Sequence, residues 1–170
     1  MKSAFQTVAL IGKYMNPQMR DQIVALAQFL TGRQLTVVIE ERTAENSGIN
    51  GYTTVHVNAI GTHADLAIVL GGDGTMLTAA RALVDHQIPL VGVNRGRFGF
   101  LTDLSSESMI EGLGRILDGA YDTEQRILLS ASITRQGEVI SQGCALNDVV
   151  VNKNGIARLI ELEVNIDGQF

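Results

Sequence analysis

The chain has 170 residues, of which 45% are hydrophobic and 18% are charged, a length and balance that fit one globular domain or one domain with part of another. This composition excludes a disordered or collagen-like chain. Thirteen lysines and arginines against 18 aspartates and glutamates give a formal net charge of −5, which argues against nucleic acid as a partner.

Short apolar runs alternate with helical patterns over residues 7 to 118. In chain order, the patterns predict a strand at 7–11, a helix from Pro17 to about Gly32, a strand at 35–39, a loop at 41–53, a strand at 65–70, a helix at 75–84, a strand at 89–93 and a helix carrying Ile110, Leu113 and Leu117 that is capped by Asp103 or Ser105. Continuous apolar strands are typical of a parallel sheet that is covered on both faces. We therefore expect an α/β domain with a Rossmann-like parallel sheet over residues 1–125.

The pattern changes after about residue 120, where helical periodicity stops. Strands are predicted at Ile127–Ile133, Val139–Val151 and Leu159–Ile166, with hairpin turns at Asn154-Gly155 and Asp167-Gly168. These elements predict the start of an all-β, sandwich-like domain over residues 126–170. Because the second turn calls for a further strand, we expect the natural protein to continue; a complete protein with a short β-tail is the alternative.

Residues 69–75, Val-Leu-Gly-Gly-Asp-Gly-Thr, stand between a predicted buried strand and a predicted helix. Gly71, Gly72 and Gly74 permit a ligand to approach the backbone, and the helix start offers unpaired amides that favour phosphate. Asp73 would repel phosphate unless it binds a metal or accepts a proton from a substrate hydroxyl. A phosphate cradle with one acid indicates phosphoryl transfer to an alcohol, and a plain tight connector is the alternative.

Other phosphate and metal motifs find little support. The GxxxxGK[ST] loop is absent, the glycines at 71–74 lack GxGxxG spacing, and no Ser or Thr follows Gly12-Lys13, which favours a plain turn there. Cys144 and the three histidines have no metal-ligand spacing, so we predict no protein metal site and treat Cys144 as a small buried hydrophobe. The N-terminal apolar run is too short for a signal peptide, and no stretch reaches a membrane span, so we expect a cytoplasmic protein without membrane contact.

Two further motifs accompany the glycine turn. Residues 91–104, VGVNRGRFGFLTDL, contain Asn-x-Gly-x-x-Gly-Phe-x-x-Asp, and residues 146–151 read LNDVVV. With GGDGT, in this order and spacing, they resemble the bacterial ATP-dependent NAD kinases, within a superfamily that includes diacylglycerol-type lipid kinases and phosphofructokinases. The resemblance is strong from Asp65 to Phe170 and only at fold level before it. Asp148 stands where the family more often has Glu, and the Gly-Thr-Gly-Asn-Asp-type segment of lipid kinases is missing.

The resemblance implies an enzyme that transfers the γ-phosphoryl group of ATP to the 2′-hydroxyl of the adenosine ribose of NAD, with Mg²⁺ or another divalent cation. It implies a homo-oligomer, as a dimer or tetramer, and an NAD site in the crevice between the two domains. Asp73 would be the catalytic base. The implied binding residues are Gly71, Gly72, Gly74, Thr75, Asn94, Phe100, Asn147, Asp148 and Arg158, with Phe100 against a ring of the ligand, Asn147 and Asp148 on the nicotinamide-side ribose or nearby groups, and Arg158 on the dinucleotide.

Each role has an alternative in the residues themselves. Asn147-Asp148 fits an ordinary turn, Phe100 a core aromatic and Arg158 a solvated surface residue. For the whole chain, a lipid kinase and a non-catalytic NAD-sensing module are the alternative functions. The family's later Asp-Gly segment and Thr/Gly/Ser-rich loop are absent from the sequence, which predicts an incomplete NAD pocket and inactivity of these 170 residues alone.

Overall fold

The computed structural model describes residues 4–12, 17–94, 99–152 and 161–170, and the chain divides into two compact units, Met1–Leu128 and Leu129–Phe170. The elements are β1 Thr7–Gly12, α1 Pro17–Gly32, β2 Thr36–Glu40, α2 Glu41–Ser47, β3 Thr53–Val55, a 3-10 helix Val57–Thr62, β4 Leu66–Leu70, α3 Asp73–Leu83, a 3-10 turn Val84–His86, β5 Leu90–Asn94, β6 Leu104–Ser105, α4 Met109–Leu117, β7 Leu129–Arg135 and β8 Glu138–Ala145.

The described strands of the first unit form a six-stranded parallel sheet in the order β3-β2-β1-β4-β5-β6. The chain builds outward from β1 on one side and then crosses to β4 on the other, where Gly12 pairs with Leu70. Strand order therefore reverses between β1 and β4, and the carboxyl ends of strands at such a switch point are where α/β proteins bind ligands. The parallel α/β class expected from the apolar runs is confirmed.

The core of the first unit explains why strand β4 is apolar at every position. All five residues of β4 are buried, because helices cover both faces of the sheet. On one face, Leu10 of β1 lies in the same apolar cluster as Ile23 of α1 and Leu113 of α4. On the other face, α3 contacts β4 and buries Ala79. Both sheet faces are thus excluded from water by these helices.

Helix α2 and strand β3 correct the prediction of a loop over residues 41–53. The Glu40 side chain caps α2 by accepting the amides of Arg42 (3.1 Å) and Thr43 (2.7 Å). Gly48 ends the helix in a left-handed conformation, with φ of 62°. The polar composition suggested a loop, but side-chain capping at one end and glycine at the other stabilise a short helix.

The predicted cap of the last helix is also wrong. The Asp103 carboxylate accepts the amide of Gly92 in β5 (2.9 Å) and is therefore part of the sheet edge. Ser108 is the N-cap position of α4, and its amide donates to the Ser105 hydroxyl at 3.2 Å. Strand β6 takes up Ser105, so this residue supports the turn before the helix without being the cap.

The described part of the second unit contains an antiparallel hairpin of β7 and β8. Its turn places Gln136 and Gly137 at φ of 53° and 85°, the geometry of a tight hairpin turn. The predicted strands at Ile127–Ile133 and Val139–Val151 are present as β7 and β8, although β8 ends at Ala145. Cys144 is half-buried.

The last predicted strand, Leu159–Ile166, is not found where it can be checked. Its first two residues and the Asn154-Gly155 turn lie outside the described residues, and 161–165 have no strand assignment. The Asp167-Gly168 turn is confirmed, because an antiparallel bridge joins Ile166 to Gln169 around it. An alternating pattern becomes a strand only when its backbone groups pair with a neighbour, and 161–165 show no such pairing in the described part of the chain.

Candidate active site

The glycine turn connects β4 to α3 at the switch point of the sheet. Gly71 donates its amide to the Val93 carbonyl of β5 (2.9 Å), which extends the end of β4 along its neighbour. Gly72 is the N-cap residue with extended backbone, and Asp73 is the first residue of α3, two residues earlier than the predicted start. The carboxylate therefore lies at the positive end of the helix dipole.

The three glycines of the turn differ in what they make room for. A Cβ at Gly71 would lie 2.8 Å from the Cβ of Thr75, a side chain that is only 5% exposed, so Gly71 is required by packing. A Cβ at Gly72 or Gly74 would meet no heavy atom of the described residues within 4 Å. Neither of these two has the positive φ that favours glycine. Packing among the described residues thus does not require glycine at positions 72 and 74.

The Asp73 carboxylate is fixed by a neighbouring turn. Its Oδ2 accepts the amide of Phe100 at 3.1 Å, and its Oδ1 accepts the amide of Leu101 at 3.0 Å. Asp73 itself is half-exposed, so the residue is only partly covered by its neighbours. Each oxygen keeps a second lone pair with which it can accept a hydrogen bond from another group.

Phe100 is brought beside Asp73 by these bonds, yet its ring points outward. The side chain is 95% exposed, whereas that of the next residue, Leu101, is buried. The core-aromatic alternative for Phe100 is therefore wrong. An exposed ring beside an acid at the switch point is suited to stacking on a planar ligand group.

The other predicted site residues are distributed over both units. Asn94 is buried at the carboxyl end of β5, one strand away from the glycine turn, and its carbonyl accepts the amide of Ser106 (2.8 Å). Asn147 and Asp148 are exposed just beyond the end of β8 in the second unit. Arg158 lies outside the described residues. Of the predicted set, the structure brings Asp73, Phe100 and the glycines of the turn together.

A polar cluster that the sequence reasoning missed lies at the carboxyl ends of β1 and β2. The Thr43 hydroxyl accepts the Gly12 amide (2.8 Å) and lies 2.8 Å from the Gly12 carbonyl and 2.7 Å from Glu40 Oε2. Glu40 is only 6% exposed. The cluster fastens the end of β1 beside the switch point. The signal for it was the Glu-x-x-Thr spacing directly after a strand, since an acid three residues before a helical amide is a capping arrangement.

The described residues offer neither a protein metal cage nor a membrane-spanning helix. No group of three or more His, Cys, Asp or Glu side chains in the described ranges could hold a metal ion. Mg²⁺ needs no such cage when it binds phosphates, because it is commonly held by one or two carboxylates together with substrate oxygens and water. None of the described helices is long and apolar enough to cross a membrane.

The parallel sheet, its strand order and the acid-bearing glycine turn at its switch point define a Rossmann-like α/β unit of the doubly wound class. A sequence model of the ATP-NAD kinase N-terminal domain matches residues 8–121. The chain therefore belongs to the ATP-NAD kinase family.

Curated relatives agree over the whole chain. It is 48% identical over 171 residues to the NAD kinase of Aromatoleum aromaticum, covering 100% of this chain and 57% of that protein. It is 49% identical over 170 residues to the NAD kinase of Nitrosospira multiformis, covering 100% of this chain and 58% of that protein. The resemblance thus extends over the first 64 residues, beyond the fold-level likeness expected there. The chain spans less than three-fifths of the length of these relatives.

Two solved structures share the fold. Yeast NADH kinase complexed with NADH gives a TM-score of 0.70 at 20% identity, covering 84% of this chain and 47% of that one. An NAD kinase from Archaeoglobus fulgidus in complex with ATP gives a TM-score of 0.53 at 19% identity, covering 79% of this chain and 45% of that one. At such identities the likeness concerns the fold alone.

Proposed function

We propose that the protein is an NAD kinase that transfers the γ-phosphoryl group of ATP to the 2′-hydroxyl of the adenosine ribose of NAD. The observation that carries the proposal is the Asp73 carboxylate, held by two amides at the start of α3 and half-exposed. The names of the curated relatives and the family match support the same reaction.

Asp73 has the position and charge of a base for a hydroxyl. The bonds from Phe100 and Leu101 fix its orientation and leave lone pairs for an incoming ribose hydroxyl. As the hydroxyl oxygen bonds to the γ-phosphorus and the bond to the β-phosphate oxygen breaks, the hydroxyl proton passes to Asp73 and ADP leaves. A positioned base of this kind contributes about 10²–10⁴-fold to the rate.

Gly72 and Gly74 provide backbone surface for phosphate. A side chain at either position would project into open space among the described residues, so their lack of one leaves that space to a ligand. The amides of Asp73 and Gly74 precede the first hydrogen bond of α3, which the Thr75 amide donates to the Gly72 carbonyl (2.9 Å), and with the helix dipole they attract anionic oxygens. Gly71 and Thr75 pack against each other and stabilise the turn, since Thr75 fills the space beside Gly71.

The remaining binding residues follow from their placement and from the family resemblance. The exposed Phe100 ring would stack on a base, and Asn94 would line the crevice at the end of β5. Asn147, Asp148 and Arg158 would contact NAD from the second unit, as the resemblance implies. Mg²⁺ would be held mainly by ATP oxygens, with Asp73 as the nearest carboxylate of the glycine turn, and would neutralise charge on the transferring phosphoryl group.

We also propose a cytoplasmic homo-oligomer. The oligomer rests on the family resemblance. The lipid-kinase alternative is set aside, because the matching family is that of the ATP-NAD kinases.

The test measures NADP formed from NAD, ATP and Mg²⁺ with an NADP-specific dehydrogenase, using the complete product of the gene that encodes this chain and, in parallel, these 170 residues. We expect Asp73→Asn to lower the turnover number by about 10²–10⁴-fold while the protein stays folded. The matched control is Asp21→Asn, which changes an exposed aspartate of α1 and should leave turnover unchanged.

Each outcome has a definite meaning. Product from the wild type and almost none from Asp73→Asn supports both the reaction and the base. Normal turnover in Asp73→Asn refutes the assignment of the base. NAD binding without product from the folded complete protein would identify a sensing module and overturn the kinase proposal.

A further inference from the structure

We propose that Gly99 is a positioning residue for Asp73: because it has no side chain, the Phe100 and Leu101 amides can close on the Asp73 carboxylate and hold it in one orientation. This inference rests on the proposed function for its kinetic consequence. Its structural part, the contact between the 99–101 turn and the acid, stands on geometry alone.

The space between Gly99 and Asp73 is too small for any side chain. A Cβ at Gly99 would lie 2.7 Å from the carboxylate carbon of Asp73 and 2.9 Å from its Oδ2, closer than real Cβ atoms come to other groups. The contact with Asp73 by itself therefore calls for a residue without a side chain at position 99. A methyl group at position 99 must therefore displace the carboxylate or open the turn.

The far end of the turn is fastened to β5. The Gly92 amide donates to the Asp103 carboxylate and the Asp103 amide donates to the Gly92 carbonyl, both at 2.9 Å. A Cβ at Gly92 would lie 2.9 Å from the Cα of Thr102 and 3.0 Å from the Leu101 carbonyl oxygen. The buried Leu101 side chain adds an apolar anchor. Because the turn is held at this end, it cannot simply move away from a larger residue at position 99.

The arrangement links two predicted site residues through a single backbone segment. The amide of Phe100 holds the acid while its exposed ring lies at the surface beside it. The position of the carboxylate relative to the ring is therefore set by the turn. Displacing a reacting group by about 1 Å can lower a rate by about a hundredfold, so a methyl group at position 99 should act on turnover.

The experiment compares four forms of the complete gene product: the wild type, Gly99→Ala, Asp73→Ala and the double variant. In Gly99→Ala we expect the turnover number for NADP formation to fall by about ten- to a hundredfold, with the KM for NAD changed less than about threefold. Gly32→Ala is the matched control, because Gly32 is exposed at the end of α1 and a Cβ there meets no described atom within 4 Å.

Hydrogen exchange of the Phe100 and Leu101 amides provides a readout that does not depend on activity. Exchange should be about tenfold faster or more in Gly99→Ala and in Asp73→Ala, because each loses the amide–carboxylate contact. The double variant should exchange no faster than Asp73→Ala, since the methyl group has room once the carboxylate is gone. If alanine at position 99 disturbed the turn for a reason other than the Asp73 contact, Gly99→Ala would speed exchange of the Phe100 and Leu101 amides equally in the wild type and in Asp73→Ala.

The outcomes separate this proposal from the kinase proposal. If the wild type makes no NADP, the proposed reaction fails, and the exchange data alone decide whether Gly99 positions Asp73. Unchanged turnover in Gly99→Ala in an active enzyme, or additive effects on exchange, would overturn the positioning role. If Gly99→Ala does not fold, a folded double variant supports the contact, and an unfolded double variant refutes it.

Discussion

The two units of the chain use apolar residues in opposite ways. In the first unit, strand β4 is buried at every position, and helices on both sheet faces exclude water from it. In the second unit, most described large apolar side chains of the hairpin and of the segments after it are exposed, among them Ile133, Val139, Ile140, Val150, Val151, Leu162, Val164 and Ile166. An apolar pattern in the sequence thus indicates which side chains can be buried. Whether they are buried depends on another surface of the protein that packs against them.

The same difference separates the parts of the candidate site. The glycine turn and the 99–103 segment belong to the first unit, where hydrogen bonds and packing fix them on a buried sheet. Asn147 and Asp148 follow the exposed hairpin of the second unit. A two-stranded hairpin is only marginally stable without a covering surface. The surroundings of Asp73 are therefore the part of the candidate site whose geometry the described residues define.

The largest expected difference between the units comes from one substitution made in each. Leu10→Ala removes a side chain with 0% exposure from the core of the first unit, and we expect it to lower the free energy of unfolding by about 2–5 kcal/mol. Leu162→Ala, at 61% exposure, should cost less than about 0.5 kcal/mol. Urea unfolding followed by far-ultraviolet circular dichroism measures both. Similar losses for the two variants would contradict the contrast in burial.

A medium effect is expected at the cap of α2. Glu40→Ala leaves the buried amide and hydroxyl of Thr43 without their carboxylate partner, so unfolding should become easier by about 1–3 kcal/mol. Glu41→Ala, at the exposed neighbouring position, is the control and should change stability by no more than about 0.5 kcal/mol. Denaturant midpoints of the two variants compare them directly, and equal midpoints would rule out the capping role.

The smallest effect is expected at the hairpin turn of the second unit. Gln136 has φ of 53°, a conformation that asparagine tolerates better than glutamine. Gln136→Asn should therefore stabilise the hairpin by up to about 1 kcal/mol. Slower amide exchange in β7 and β8, with unchanged exchange in the first unit, is the expected result. Gly137→Ala, at φ of 85°, should have the opposite sign, and faster exchange in Gln136→Asn would show that the turn geometry is wrong.

Much of the first unit could be predicted because its signals are local. Continuous apolar runs indicated the strands of a parallel sheet, and the glycine turn was correctly placed between a buried strand and a helix. The misses concern polar residues whose partners are distant or unusual. Glu40 was not foreseen as a cap, and Asp103 was assigned to a helix although it pairs with Gly92 of β5. The Asp103 bond spans 11 positions that no sequence pattern relates, whereas Glu40 caps an amide three positions away and was missed because the polar composition of 41–53 suggested a loop.

The residue pattern of this chain was sufficient to establish its α/β class, the place of its glycine turn and its resemblance to a family of kinases, because periodicity, turn residues and short motifs are properties of neighbouring residues. The two hydrogen bonds that the Phe100 and Leu101 amides donate to the Asp73 carboxylate could not be inferred in this way. These bonds form because β5 lies next to β4 in the sheet and the amides of Phe100 and Leu101 lie beside the start of α3. Gly99 must lack a side chain because it contacts Asp73, which lies 26 positions earlier in the sequence. Only the folded structure brings these two residues together.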